Sequence, residues 1–179
     1  MGSMRNAVNA ACGVLVALAL GGCSGILAVD PTPSPTPSAT PSPSYSVPAE
    51  ARAHTPEGAA AFARFYYQQL NRSYTQPAAH LLPPLGASTC EACASYNEFT
   101  KGLVDRGERV DPAPVEMVKV IVKKGSTSDR AIVEVQMRQV AAKVLDAKNA
   151  VVTTQEPKEY SVVLEILWEG DRWVLGSVN

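Results

Sequence analysis

Between Pro31 and Pro48 the chain carries seven prolines and eight serines or threonines in eighteen positions. No packed core can be assembled from such a segment, because proline withholds its amide hydrogen and the small hydroxyl side chains bury little apolar surface. The run favours polyproline II and, at about 3.1 Å per residue, reaches up to roughly 55 Å. It therefore divides the chain into a short leading piece and a longer trailing piece, residues 55–179, which has the length of one domain.

The leading piece reads as an address. Arg5 precedes the uncharged run Ala10-Ala11-Cys12-Gly13-Val14-Leu15-Val16-Ala17-Leu18-Ala19-Leu20, which Gly21-Gly22-Cys23 follows. The run falls short of the about 20 residues that span a bilayer and has the length of a signal-peptide apolar region. Leu20-Gly21-Gly22-Cys23 resembles a bacterial lipobox, which implies that residues 1–22 are removed and that the Cys23 sulfur receives a diacylglyceryl group. Acyl chains at about 0.8 kcal/mol per buried methylene anchor a protein to a membrane without spanning it. The expected site is a cell membrane's extracytoplasmic face, with residues 23–54 as a lipidated, disordered Pro/Ser/Thr linker. The bland rival is a buried helix ending in Gly-Gly-Cys, and the linker offers such a helix nothing to pack against. The linker's composition also fits an O-glycosylated stalk or a ligand for proline-binding grooves.

Charge narrows the function classes. Lys and Arg total 16 against 17 Asp and Glu, for a net charge of -1, and losing Arg5 with the leader takes the mature chain to -2. Nucleic-acid binding calls for a clustered positive field, so no nucleic-acid partner is expected. No Gly-rich phosphate loop is present, and no cofactor is expected.

In the trailing piece helical signals come first. Thr55-Pro56-Glu57 offers an N-cap, a proline at the first helical position and an acid near the positive end of the dipole. Ala59, Phe62, Phe65, Tyr66, Gln69 and Leu70 recur at helical spacing, which predicts a helix to about Arg72. Ser88-Thr89-Cys90-Glu91 matches a capping box and predicts a second helix ending at Gly107. His80-Leu81-Leu82 suggests one short turn that Pro83-Pro84 ends.

After Pro114 the usage turns to Val, Ile, Tyr and Trp, predicting strands over Val115–Val122, Ala131–Leu145, Tyr160–Trp168 and Arg172–Val178. The second of these is long enough to bend. Gly125–Asp129 and Glu169-Gly170-Asp171 read as turns. Helices followed by antiparallel strands predict an α+β domain, its helices packed on one face of a curved four-stranded sheet.

The segments His54–Phe62, Asn71-Arg72-Ser73-Tyr74, Cys90-Glu91-Ala92-Cys93 and Gly170-Asp171-Arg172-Trp173 resemble an actinobacterial family of secreted lipoproteins of unknown function. Thr75-Gln76-Pro77 departs from that pattern, where a Gly-Asp turn is expected. The resemblance implies a cystatin-like cone of the nuclear-transport-factor kind, in which a curved sheet wraps a long helix. It brings no catalytic residues.

Four groups are candidates for chemistry. Cys90 and Cys93, three apart at a helix start, are expected to oxidise to a disulfide outside the cytoplasm. Two rival uses stay open: thiol-disulfide exchange, since a helix N-terminus lowers a thiol pKa, and zinc binding with His54 and His80, whose wide separation lacks the spacing of structural sites. The two histidines otherwise suit surface or capping roles. Glu134, Glu159, Glu165 and Glu169 lie on strands and turns where most face water, and yield no readable carboxylate pair. Tyr66, Tyr67, Asn71 and Tyr96, with Gln68 and Tyr74, either fill the core or line a small-ligand pocket between the first helix and the sheet. Trp168 and Trp173 read as cross-strand packing. With no catalytic constellation legible, the expected role is a binding or scaffold domain for an envelope protein or small ligand. An envelope thiol-disulfide oxidoreductase or a pocket enzyme is the alternative.

Overall fold

The computed structural model describes residues 45–179, and Cys23, the leader and most of the proline run lie outside the described residues. Two α-helices and seven β-strands follow in the order α1 (Pro56–Thr75), α2 (Glu91–Arg106), β1 (Arg109–Asp111), β2 (Val115–Val122), β3 (Arg130–Gln139), β4 (Ala142–Leu145), β5 (Val151–Gln155), β6 (Lys158–Glu169) and β7 (Arg172–Val178). The fold is α+β. A four-stranded antiparallel sheet runs β2-β3-β6-β7, and a three-stranded antiparallel sheet runs β1-β4-β5.

α1 begins where its sequence says. Thr55 is extended, and its Oγ1 accepts from Gly58 N at 3.1 Å, while Pro56 fills the first helical position. The helix continues to Thr75, one turn past Arg72, because Ser73 and Tyr74 are themselves core residues that the packing keeps helical. Its sides are buried except for a narrow stripe at Glu57, Arg64, Gln68 and Arg72, so it is a core helix and not a surface one. It touches β1, β2, β3, β6, β7 and α2.

α2 starts at Glu91 with Cys90, not Ser88, as its N-cap: the Cys90 sulfur accepts from Cys93 N at 3.2 Å, so the predicted Ser88–Glu91 capping box does not form. Gly107, in the left-handed region at φ 64°, closes the helix as predicted. A turn around His80, closed by Leu81 N donating to Ala78 O at 3.2 Å, precedes the prolines, and Pro83 and Pro84 then open a second, 3-10 turn over Pro83–Leu85, because their fixed φ suits a helix start.

The long strand predicted over Ala131–Leu145 breaks at Val140-Ala141. Its first part, β3, pairs with β2 and β6, and its second, β4, leaves for the small sheet between β1 and β5. β1 and β5 had no sequence signal: β1 is three residues long, and β5 is exposed at four of its five positions. The hairpin at Gly170-Asp171 joins β6 to β7, with Trp168 opposite Trp173.

Residues 45–54, read from sequence as linker, lie on the domain. Tyr45 meets the edge of the Phe65 ring at a centroid distance of 5.4 Å, Val47 packs on the core, and Ala51 in the 3-10 turn Glu50–Arg52 is buried. The Ala53 carbonyl is the node of this strap, accepting from Thr55 N at 2.8 Å and from Trp173 Nε1 at 2.7 Å. It sits so close to α1 that a Cβ on Gly58 would lie 2.0 Å from it.

Two alanine substitutions should therefore move stability in opposite directions. Gly58→Ala forces the strap off α1 and should cost about 2 kcal/mol or more. Gly102→Ala, where the nearest atoms belong to the mobile end of Arg106, should gain about 0.5–1 kcal/mol in helix propensity. Thermal melts of the two variants test this, and equal shifts would contradict the close contact at Ala53.

Candidate functional site

The stripe of α1 that escapes burial faces the edge strand β2 across a cleft of about 240 Å³, lined by Arg64, Tyr67, Gln68, Asn71, Val115 and Met117. Helical spacing sets the helix wall, since positions 64, 67, 68 and 71 share one side. The strand wall follows from the pleat, which turns Val115 and Met117 the same way. A bulge between Met117 and Lys119 then bends β2.

The Asn71 carboxamide is spent on structure. Its Nδ2 donates to Val115 O at 2.6 Å and its Oδ1 accepts from Val115 N at 3.1 Å, so the side chain pairs with β2 as a neighbouring strand would. This pins the end of α1 to the start of β2 and satisfies edge groups that otherwise face solvent. Arg64 is exposed, makes none of the ion pairs seen among the described residues, and donates one long bond, 3.4 Å, to Ala60 O. Gln68 is exposed beside it, and the lining holds one cation and no acid.

Of the residues proposed for a pocket, Tyr67, Gln68 and Asn71 line this cleft and Tyr66, Tyr74 and Tyr96 do not. Tyr66 and Tyr67 are 1% and 3% exposed, their rings edge to face at 5.6 Å. Tyr74 packs edge to face on Phe99 of α2 at 4.9 Å. Tyr96 of α2 and Tyr160 of β6 are half-buried and pack against the same core. Neither the Tyr66 nor the Tyr67 hydroxyl has a well-formed hydrogen bond within the protein, although the Tyr96 hydroxyl comes close enough to Tyr67 to act on its titration. Burial pushes the pKa of Tyr66, Tyr67 and Tyr74 far above the usual phenol value, and the neighbouring phenols add to it. Most of the tyrosine group is thus core, and only the Tyr67 face borders the cleft.

Cys90 and Cys93 are joined as a disulfide. Both are buried, at 2% and 4%, under β7, where Ala87 N donates to Leu175 O at 2.9 Å. Gly86 allows this approach, since a Cβ there would lie 2.9 Å from Cys93. His54 stacks on Trp168 at 4.2 Å and bonds Asp129 through Nε2 at 2.8 Å. No group of three or more His, Cys, Asp or Glu gathers at metal-binding distance among the described residues. Glu134, Glu159 and Glu165 pair with Lys123, Arg138 and Arg130 on the sheet face turned away from α1.

No family model matches the chain, and no curated protein matches it. Among solved structures, the intermembrane space region of the chloroplast protein ARC6 is similar, with a TM-score of 0.51 and 16% identity over 68% of this chain and 92% of that one. That likeness concerns the fold alone.

Alkaline titration tests the buried phenols. Below the ordinary tyrosine pKa of about 10, folded and unfolded chains hold the same phenol protons. Above it the unfolded chain releases protons that Tyr66, Tyr67 and Tyr74 keep, so stability falls as pH rises further. Tyrosinate absorbance should rise cooperatively, together with loss of near-ultraviolet circular dichroism. All six tyrosines ionising gradually with the dichroism intact would contradict this burial.

Proposed function

We propose that this chain is a lipid-anchored protein of the cell envelope that displays a non-enzymatic α+β binding domain on the extracytoplasmic face, held off the membrane by its Pro/Ser/Thr run. The observation that carries the reading is the order of parts: an uncharged run closed by Leu20-Gly21-Gly22-Cys23, a segment unable to form a core, and then a folded domain. The end of the proline run supports it, since Tyr45 and Val47 are already seated on the domain. A membrane-attached diacylglyceryl group on Cys23 gives the anchor, and an envelope protein or small ligand is the partner.

The α1–β2 cleft is the binding site in this reading. Its lining of arginine, tyrosine, two carboxamides, valine and methionine contains no nucleophile and base within reach of each other. The joined cysteines support an oxidising compartment. Their burial supports a structural clip over thiol-disulfide exchange, because exchange requires an attacking thiolate to reach one of the sulfurs. In the chain-entropy model so short a loop contributes about 2 kcal/mol.

Mass spectrometry of the native mature N-terminus tests the anchor. The expected product starts at Cys23 and carries the mass of a diacylglyceryl group, while Cys23→Ser leaves the leader uncut. An unmodified Cys23 behind an intact leader would overturn the proposal.

A further inference from the structure

The cleft between α1 and β2 carries its own ligand chemistry, and this inference rests on reading that cleft as the domain's binding site. Arg64 lines it as the single charged group. No acid neutralises the guanidinium among the described residues, and its one bond to Ala60 O is long. The acid Glu116 of the adjoining strand is turned to the other sheet face, where it meets Arg138 at 3.5 Å. Gln68 stands one helical turn beyond Arg64 and adds amide donors to the same wall. Asn71 contributes none, since both ends of its carboxamide are taken by Val115.

The strand side of the cleft is apolar, formed by Val115 and Met117, and Tyr67, 3% exposed, borders it from the helix. The Met117 thioether suits a planar ring, through sulfur–aromatic contact. Tyr67 stays uncharged at any physiological pH, so it does not repel an anion. The volume, about 240 Å³, lies just under the about 300–1,000 Å³ of drug-sized sites, which suits a ligand of single-ring size. One guanidinium with one amide matches one planar carboxylate in charge and in fork geometry.

The geometry points to a binding site for a small aromatic carboxylate in the α1–β2 cleft, its carboxylate held by Arg64 and Gln68 and its ring against Val115 and Met117.

Met117 provides the reporter. The full chain, labelled at its methionine methyl carbons and held in lipid nanodiscs, is titrated by NMR with benzoate, benzamide and benzylammonium. Benzoate should shift the Met117 methyl saturably in the millimolar range, benzamide more weakly and benzylammonium not at all. Arg64→Gln, an exposed helix position where the fold should persist by circular dichroism, should weaken benzoate by about tenfold, and Arg64→Lys should restore part of it. If all three probes shift Met117 alike, or Arg64→Gln binds benzoate as before, the carboxylate assignment falls while the cleft stands as a binding site. If no probe moves Met117 saturably, the cleft reading falls with it.

Discussion

Burial of α1 on all but one stripe is the constraint from which the rest of the structure follows. Phe62, Phe65, Tyr66, Tyr67 and Leu70 are all less than 5% exposed, and at about 2 kcal/mol each their burial contributes on the order of 10 kcal/mol before chain entropy is set against it. No single flat sheet can cover so many sides of a helix. The four-stranded sheet takes one side, α2 a second, and the strap of residues 45–54 closes a third through the ring of Tyr45 and the carbonyl of Ala53. The strap is part of the domain because the helix needs it.

The ends of α1 are fixed by polar contacts of one kind, a side chain standing in for a backbone partner. At the start Thr55 Oγ1 takes Gly58 N, and the Trp173 indole holds the carbonyl just upstream. At the other end the Asn71 carboxamide pairs with both backbone groups of Val115. The second pin also shapes the cleft. It holds β2 at a set distance from the helix, and the cleft with its lone guanidinium occupies the space beside it. A single register thus decides both where the sheet edge stops and where the cleft opens.

What was legible in the sequence is what local physics determines. Thr55-Pro56 fixed the start of α1, Gly107 the end of α2, and the Val, Ile, Tyr and Trp usage marked β2, β6 and β7, with alternation in β6. What was not legible depends on distant partners. The Cys90 sulfur took over the cap from Ser88 because the disulfide and the seat under β7 set that turn. The small sheet was missed because β1 is short and β5 exposed, so neither has a hydrophobic period to read. The strap was absorbed into the linker because its few apolar residues, Tyr45, Val47 and Ala51, follow a proline run without a break in composition. For the site, the residue types were visible but their division was not. Sequence grouped Tyr66, Tyr67, Gln68, Asn71, Tyr74 and Tyr96 together, while the fold gave Tyr66 and Tyr74 to the core, spent the Asn71 carboxamide on the strand, and set Gln68 in the cleft beside Arg64, an exposed cation on a core helix that the grouping left out. That exposed stripe was the available signal.

Hydrogen exchange on the full chain measures the central claim directly, that strap and helix are one cooperative unit. The amides of Ala51, Arg52 and Thr55, bonded to Pro48 O, Ala49 O and Ala53 O, should exchange in the same slow class as the interior of α1 and of the paired strands β3 and β6. Strap amides exchanging at free-peptide rates while α1 stays protected would contradict it, and would return residues 45–54 to the tether.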